Sequence, residues 1–81
     1  MDAQDLKTAG LKVTLPRLKI LEILEKSENH HMSAENIYRA LVMQGEEVGV
    51  ATIYRVLTQF EEASIIHKLN FDNGQSVYEL S

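Results

Sequence analysis

Up to Ala63 the apolar residues of this chain recur at helical spacing; after it they fall into two short runs rich in β-branched and aromatic residues. The clearest stripe is Ile53, Val56, Leu57 and Phe60, at i, i+3, i+4 and i+7 of a helix running from Gly49 to Glu62. Ala34, Ile37, Tyr38 and Leu41 repeat the pattern in a helix that Ser33 caps and Gly45 stops. Leu18, Ile20, Leu21 and Leu24 give a further helix its buried side. Thr14 serves as N-cap, Pro16 sits in the first turn, where its missing N–H is tolerated, and the pattern fades near Ser27. A short first helix, Ala3 to Ala9, lies between a capping Asp2 and Gly10. Leu11 to Thr14 reads as a linker and Glu28 to Met32 as a polar connector.

Ile66–Phe71 and Ser76–Leu80 flank Asp72-Asn-Gly-Gln75, whose Asn73-Gly74 pair predicts a hairpin closed by a type I′ turn. An isolated hairpin is marginal in water. This one is therefore expected to pack on the helices through Leu69, Phe71, Tyr78 and Leu80. Helices joined by a short turn suit a helix-turn-helix. With the hairpin added, the fold class is mostly α with a small β element: a winged helix-turn-helix of four helices and a two-stranded antiparallel wing, one domain over residues 1–81.

Composition narrows the class. The 81 residues are 44% hydrophobic and 25% charged, as expected of one small globular domain. No apolar run reaches membrane-spanning length and no signal-peptide pattern opens the chain, which predicts a soluble, cytoplasmic protein. With no cysteine there is neither a disulfide nor a thiolate metal site. The net charge of −4 is unevenly spread. Lys7, Lys12, Arg17 and Lys19 lie in a stretch free of acids between Asp5 and Glu22, a local basic patch on an otherwise acidic chain.

The polar side of the Gly49–Glu62 helix carries Thr52, Tyr54, Arg55 and Gln59, groups that bond phosphates and base edges. Three of them fall in the first turns, the part of a recognition helix that enters the major groove. An amphipathic helix with an ordinary solvated face has the same pattern. Four segments distinguish the two readings: Gly10-Leu-Lys-Val-Thr-Leu-Pro-Arg17, Asn29-His-His-Met-Ser-Ala-Glu35, Ala51-Thr-Ile-Tyr-Arg-Val-Leu57 and Gly74-Gln-Ser-Val-Tyr-Glu-Leu80. In order and in register, they resemble the N-terminal DNA-binding domain of the ferric uptake regulator family, bacterial metal-dependent repressors.

The resemblance implies roles. Tyr54 and Arg55 match base contacts of the recognition helix, with Thr52 and Gln59 as flanking phosphate or water-mediated contacts. Lys12 matches a lysine sent into an adjacent A/T-rich minor groove, whose negative potential attracts it. Arg17 matches a backbone contact. The implied partner is double-stranded DNA carrying an A/T-rich inverted repeat, and the implied function is repression of iron uptake genes. The wing departs from the family pattern: Gln75 stands where relatives often carry a basic residue, and Lys68 is the hairpin's only cation.

The resemblance also implies a following dimerisation and metal-binding domain that these residues do not include. His31 and Glu79 match two ligands of a regulatory metal, Fe²⁺ or alternatively Zn²⁺ or Mn²⁺, in a homodimeric full-length protein. The other ligands belong to that further domain. Two protein ligands make a poor site, so no cofactor is expected in these residues alone, which are expected to be monomeric. Adjacent histidines do not chelate by themselves, so His30 reads as surface, as does His67 on its strand. No nucleophilic cysteine, phosphate loop or helical His pair suggests an enzyme, and Ser33 is better explained as a cap. The alternative is a winged-helix protein-interaction module without DNA binding.

Overall fold

The computed structural model describes residues 1–28 and 31–81. It contains four helices, α1 (Ala3–Thr8), α2 (Leu15–Lys26), α3 (Ala34–Met43) and α4 (Val50–Glu62). Three strands complete it: β1 (His31–Met32), β2 (Ile66–Asn70) and β3 (Ser76–Leu80). Helix α4 lies against α2, α3 and β2, and β3 packs on α2 and α3.

The helix starts follow local chemistry. Asp2 accepts from the N–H groups of Gln4 and Asp5 while the Asp5 carboxylate accepts from the Asp2 N–H, a reciprocal cap. The Thr14 hydroxyl accepts from Arg17 N–H and the Ser33 hydroxyl from Asn36 N–H. Helix α3 ends at Gly45, whose φ of +76° lets Glu46 N–H reach back to Leu41 C=O at 2.9 Å. The same motif ends α4 at Ser64, the one non-glycine residue with positive φ among the described residues.

The core gathers Leu6, Ile20, Leu21, Ile23 and Leu24 with Ala34, Ile37 and Leu41, the α4 stripe, and Ile65, Ile66 and Tyr78 from the sheet end. All four stripe residues are buried, and Phe60 is fully so. Leu18 is only half-buried, while Ile23 takes a core position.

Four expectations need correction. Tyr38 is 40% exposed, because it lies on the rim of the narrow stripe formed by Ala34, Ile37 and Leu41. Leu69 and Phe71 are 38% and 49% exposed. Strand alternation places Ile66 and Lys68 on the inner face of β2 and Leu69 on the outer one. The turn is not type I′: only Gly74 has positive φ, and Gly74 N–H bonds to Phe71 C=O while Phe71 N–H bonds to Gln75 C=O. The hairpin thus closes through Asp72, Asn73 and a left-handed Gly74.

The last correction concerns the expected connector, not the wing, whose two antiparallel strands are as expected. The sheet has three strands in the order β1-β3-β2, because His31–Met32, part of the expected connector, pairs antiparallel with β3. This adds hydrogen bonds to the inner edge of the wing and ties the start of α3 to it. The reading of His30 as surface lies outside the described residues.

Candidate nucleic-acid interface

The polar face of α4 has three strips, fixed by helical geometry and the buried stripe opposite. Arg55 occupies the outer ridge. Tyr54 and Thr58 lie toward the wing, and Thr52 and Gln59 toward the linker before α2. Arg55 is exposed and makes no hydrogen bond or ion pair among the described residues. Its five donors are free for an external acceptor. Gly49 caps α4 without a side-chain bond and no acid stands in its first turn, so that helix end presents open N–H groups.

The linker-side strip is braced from within the chain. Arg17 donates through Nη1 to Lys12 C=O at 2.7 Å and through Nη2 to Gln59 Oε1 at 2.8 Å. One guanidinium therefore couples the Lys12 linker to α4 across 42 residues of sequence. Arg17 and Gln59 do not stand as independent surface contacts; each orients the other. Two of the five Arg17 N–H groups are used in this way. Lys12 itself is exposed, and its ammonium has no carboxylate partner among the described residues.

On the wing side, Tyr54 Oη donates to Glu35 Oε1 at 3.0 Å. The Glu35 carboxyl is held below the usual carboxylate range, first by its own backbone N–H and then by Tyr54 and Ser33. The Tyr54 phenol is shifted upward, chiefly by the bond to Glu35. Both shifts have the sign expected of an O–H donating to a carboxylate. This pair lines a cleft of about 560 Å³ between α3, α4 and the wing, together with Arg39, Thr58, Lys68, Gln75 and Tyr78.

Sequence reasoning missed Glu35, Arg39 and Thr58. Thr58 had a signal, standing one turn after Tyr54 on the same polar face. Glu35 and Arg39 had none without the packing of α3 on α4. The charges form a pattern. Lys19 faces Glu46 at 3.8 Å and Lys26 faces Glu22 at 3.3 Å. Lys12, Arg17, Arg39, Arg55 and Lys68, set around α4, have no carboxylate partner among the described residues.

The other candidate site lies on the sheet. His31 and His67 are both register partners of Glu79, from β1 and β2 respectively, so the three share its outer face. Among the described residues no group of three or more His, Cys, Asp or Glu side chains is gathered to hold a metal. His31 and Glu79 supply at most part of a ligand set, since zinc takes four ligands and harder cations more.

These elements define a winged helix-turn-helix domain. The family model for the ferric uptake regulator family matches residues 8–81, and the chain belongs to that family. Members of the family are transcriptional regulators rather than enzymes. The chain is 61% identical over 80 residues to the ferric uptake regulation protein of Legionella pneumophila, covering 99% of this chain and 59% of that protein. With the Escherichia coli K12 protein of the same name it shares 60% over 76 residues, covering 94% of this chain and 51% of that one. It thus spans little more than half the length of these curated relatives.

Solved structures agree. The Vibrio cholerae ferric uptake regulator superposes with a TM-score of 0.92 at 59% identity, over 96% of this chain and 60% of that one. The Pseudomonas aeruginosa regulator, solved with manganese, gives 0.92 at 56%, over 99% of this chain and 60% of that one. No helix among the described residues is long and apolar enough to cross a membrane.

Proposed function

We propose that this chain reads A/T-rich inverted repeats in double-stranded DNA, as the N-terminal domain of a cytoplasmic bacterial repressor of iron uptake genes. The observation that carries this reading is Arg55 on the ridge of α4, unpaired among the described residues, with further cations around it that have no carboxylate partner there and α4 beginning in open N–H groups. Tyr54 and Arg55 read bases in the major groove. Thr52 bonds the flanking backbone. Lys12 enters the adjacent minor groove, held at its reach by the Arg17–Gln59 brace. In the homodimeric full-length protein, His31 and Glu79 contribute two ligands to the regulatory metal, Fe²⁺ by preference over Zn²⁺ or Mn²⁺. The remaining ligands come from chain beyond the matched segment. The metal's charge supplies a link between domains; these residues hold one side of it. Alone, the 81 residues are monomeric, need no metal to bind DNA and bind weakly, lacking the effective concentration that a linked partner provides.

A titration of the chain with an A/T-rich inverted-repeat duplex, and with a scrambled duplex of equal composition, tests this. Each neutralised phosphate contributes about −0.9 to the log–log salt slope, so affinity is expected to fall steeply from about 50 to about 200 mM salt. No binding at low salt favours the protein-interaction reading. Lys12→Ala is expected to reduce that slope by about one and to weaken chiefly duplexes with A/T-rich flanks. A loss independent of the flanks removes Lys12 from the minor groove.

A further inference from the structure

The Tyr54 hydroxyl has one proton to donate, and it donates that hydrogen bond to the Glu35 carboxylate. The ring stands on the exposed side of α4, and its hydroxyl makes no hydrogen bond within its own helix. Its anchor comes from α3, a helix that packs directly on α4. Glu35 lies in the first turn of α3, directly after the Ser33 cap. A carboxylate also lines the cleft beside the proposed DNA face, where its charge repels phosphate. Arg39 and Lys68 line the same cleft and offset that charge.

We propose that Glu35 is a specificity-determining positioning residue: by occupying the Tyr54 hydroxyl it makes Tyr54 read DNA through the apolar face of a fixed ring rather than as a hydrogen-bond donor. This rests on the DNA reading above. A ring so held discriminates by shape and by contact with thymine methyl groups, the apolar component of major-groove readout. A free phenol bonds any phosphate within reach and carries no sequence information. The Glu35 charge acts separately: it weakens binding wherever a phosphate falls beside it, whatever the sequence, and so leaves the ratio of affinities unchanged.

The test is the ratio of affinities for the inverted-repeat duplex and its scrambled counterpart. It is measured for the 81-residue chain and four variants, with circular dichroism as the folding control. Glu35→Ala and Tyr54→Phe each break the bond and are expected to lower the ratio by about three- to tenfold. The double variant is expected to lose no more than either single one, because both act through the same bond. Glu35→Gln keeps an acceptor for the phenol. It is expected to hold the ratio within about twofold while strengthening binding to both duplexes, since only the charge is gone.

An unchanged ratio in Glu35→Ala, or additive losses in the double variant, overturns the proposal. So does a ratio that falls in Tyr54→Phe but rises in Glu35→Ala, which would mean that the hydroxyl bonds DNA. If the unaltered chain fails to discriminate the two duplexes, the DNA reading itself falls, and this inference with it.

Discussion

Phe60→Ala is expected to destabilise the domain by about 3–5 kcal/mol. The ring is fully buried on the α4 stripe, in a core fed by all four helices and the sheet. Removing it deletes the largest fully buried side chain among the described residues and leaves a cavity that surrounding Leu and Ile residues fill only in part. A small domain holds roughly 5–15 kcal/mol in total, so the variant is expected to be partly unfolded at moderate temperature. Urea unfolding followed by circular dichroism reads the change. The effect on function follows from geometry. Ile53, Val56, Leu57 and Phe60 hold one side of α4 inward, and that alone turns Arg55 outward. A loss below about 1 kcal/mol would show that α4 is not seated by this stripe.

Arg55→Ala is expected to cost about 1–3 kcal/mol on a specific site, about five- to 150-fold in affinity, and to relax preference at one base position. Arg55 is the one recognition-helix cation, and no group within the described chain competes for it. Truncation therefore removes an external contact without releasing an internal one, and stability is expected to stay within about 0.5 kcal/mol. Affinities for a panel of single-base variants of the inverted repeat report the preference. Equal weakening on every duplex, including scrambled sequence, would instead make Arg55 a phosphate contact. Arg17→Ala has no such clean meaning, since it also frees Gln59 and the Lys12 carbonyl.

The legible part of this fold was carried by local chemistry. Asp2, Thr14 and Ser33 cap helices because a side-chain oxygen meets orphan N–H groups a few residues on, a relation visible in any sequence. The α4 stripe was legible because all four members lie well inside the buried arc. Tyr38 was misread because it satisfies the same spacing while sitting at the arc's rim. Leu69 and Phe71 were placed by hydrophobicity, but the phase set by Ile66 decides which face they take. Strand β1 was illegible: two residues carry no period, and only the partner strand makes them a strand.

The site divides in the same way. The type and spacing of Thr52, Tyr54, Arg55 and Gln59 pointed to an α4 interface. Sequence assigned Arg17 and Gln59 separately outward and left out Glu35, because the bonds that join these residues cross between helices far apart in the chain. Resemblance likewise supplied the His31–Glu79 pair, whereas the register placing His31 and His67 on either side of Glu79 needed the sheet.

The most direct test of the central claim is to map the backbone amides of the isotopically labelled chain by NMR while the inverted-repeat duplex is added. The account predicts the largest shifts at Lys12 and in the first half of α4, from Ala51 to Arg55, with smaller ones at Gln59 and the start of α3, all reversed by added salt. Shifts centred on the exposed Tyr38 and Val42 side of α3, or on the His31–Glu79 face of the sheet, with α4 unmoved, would contradict it.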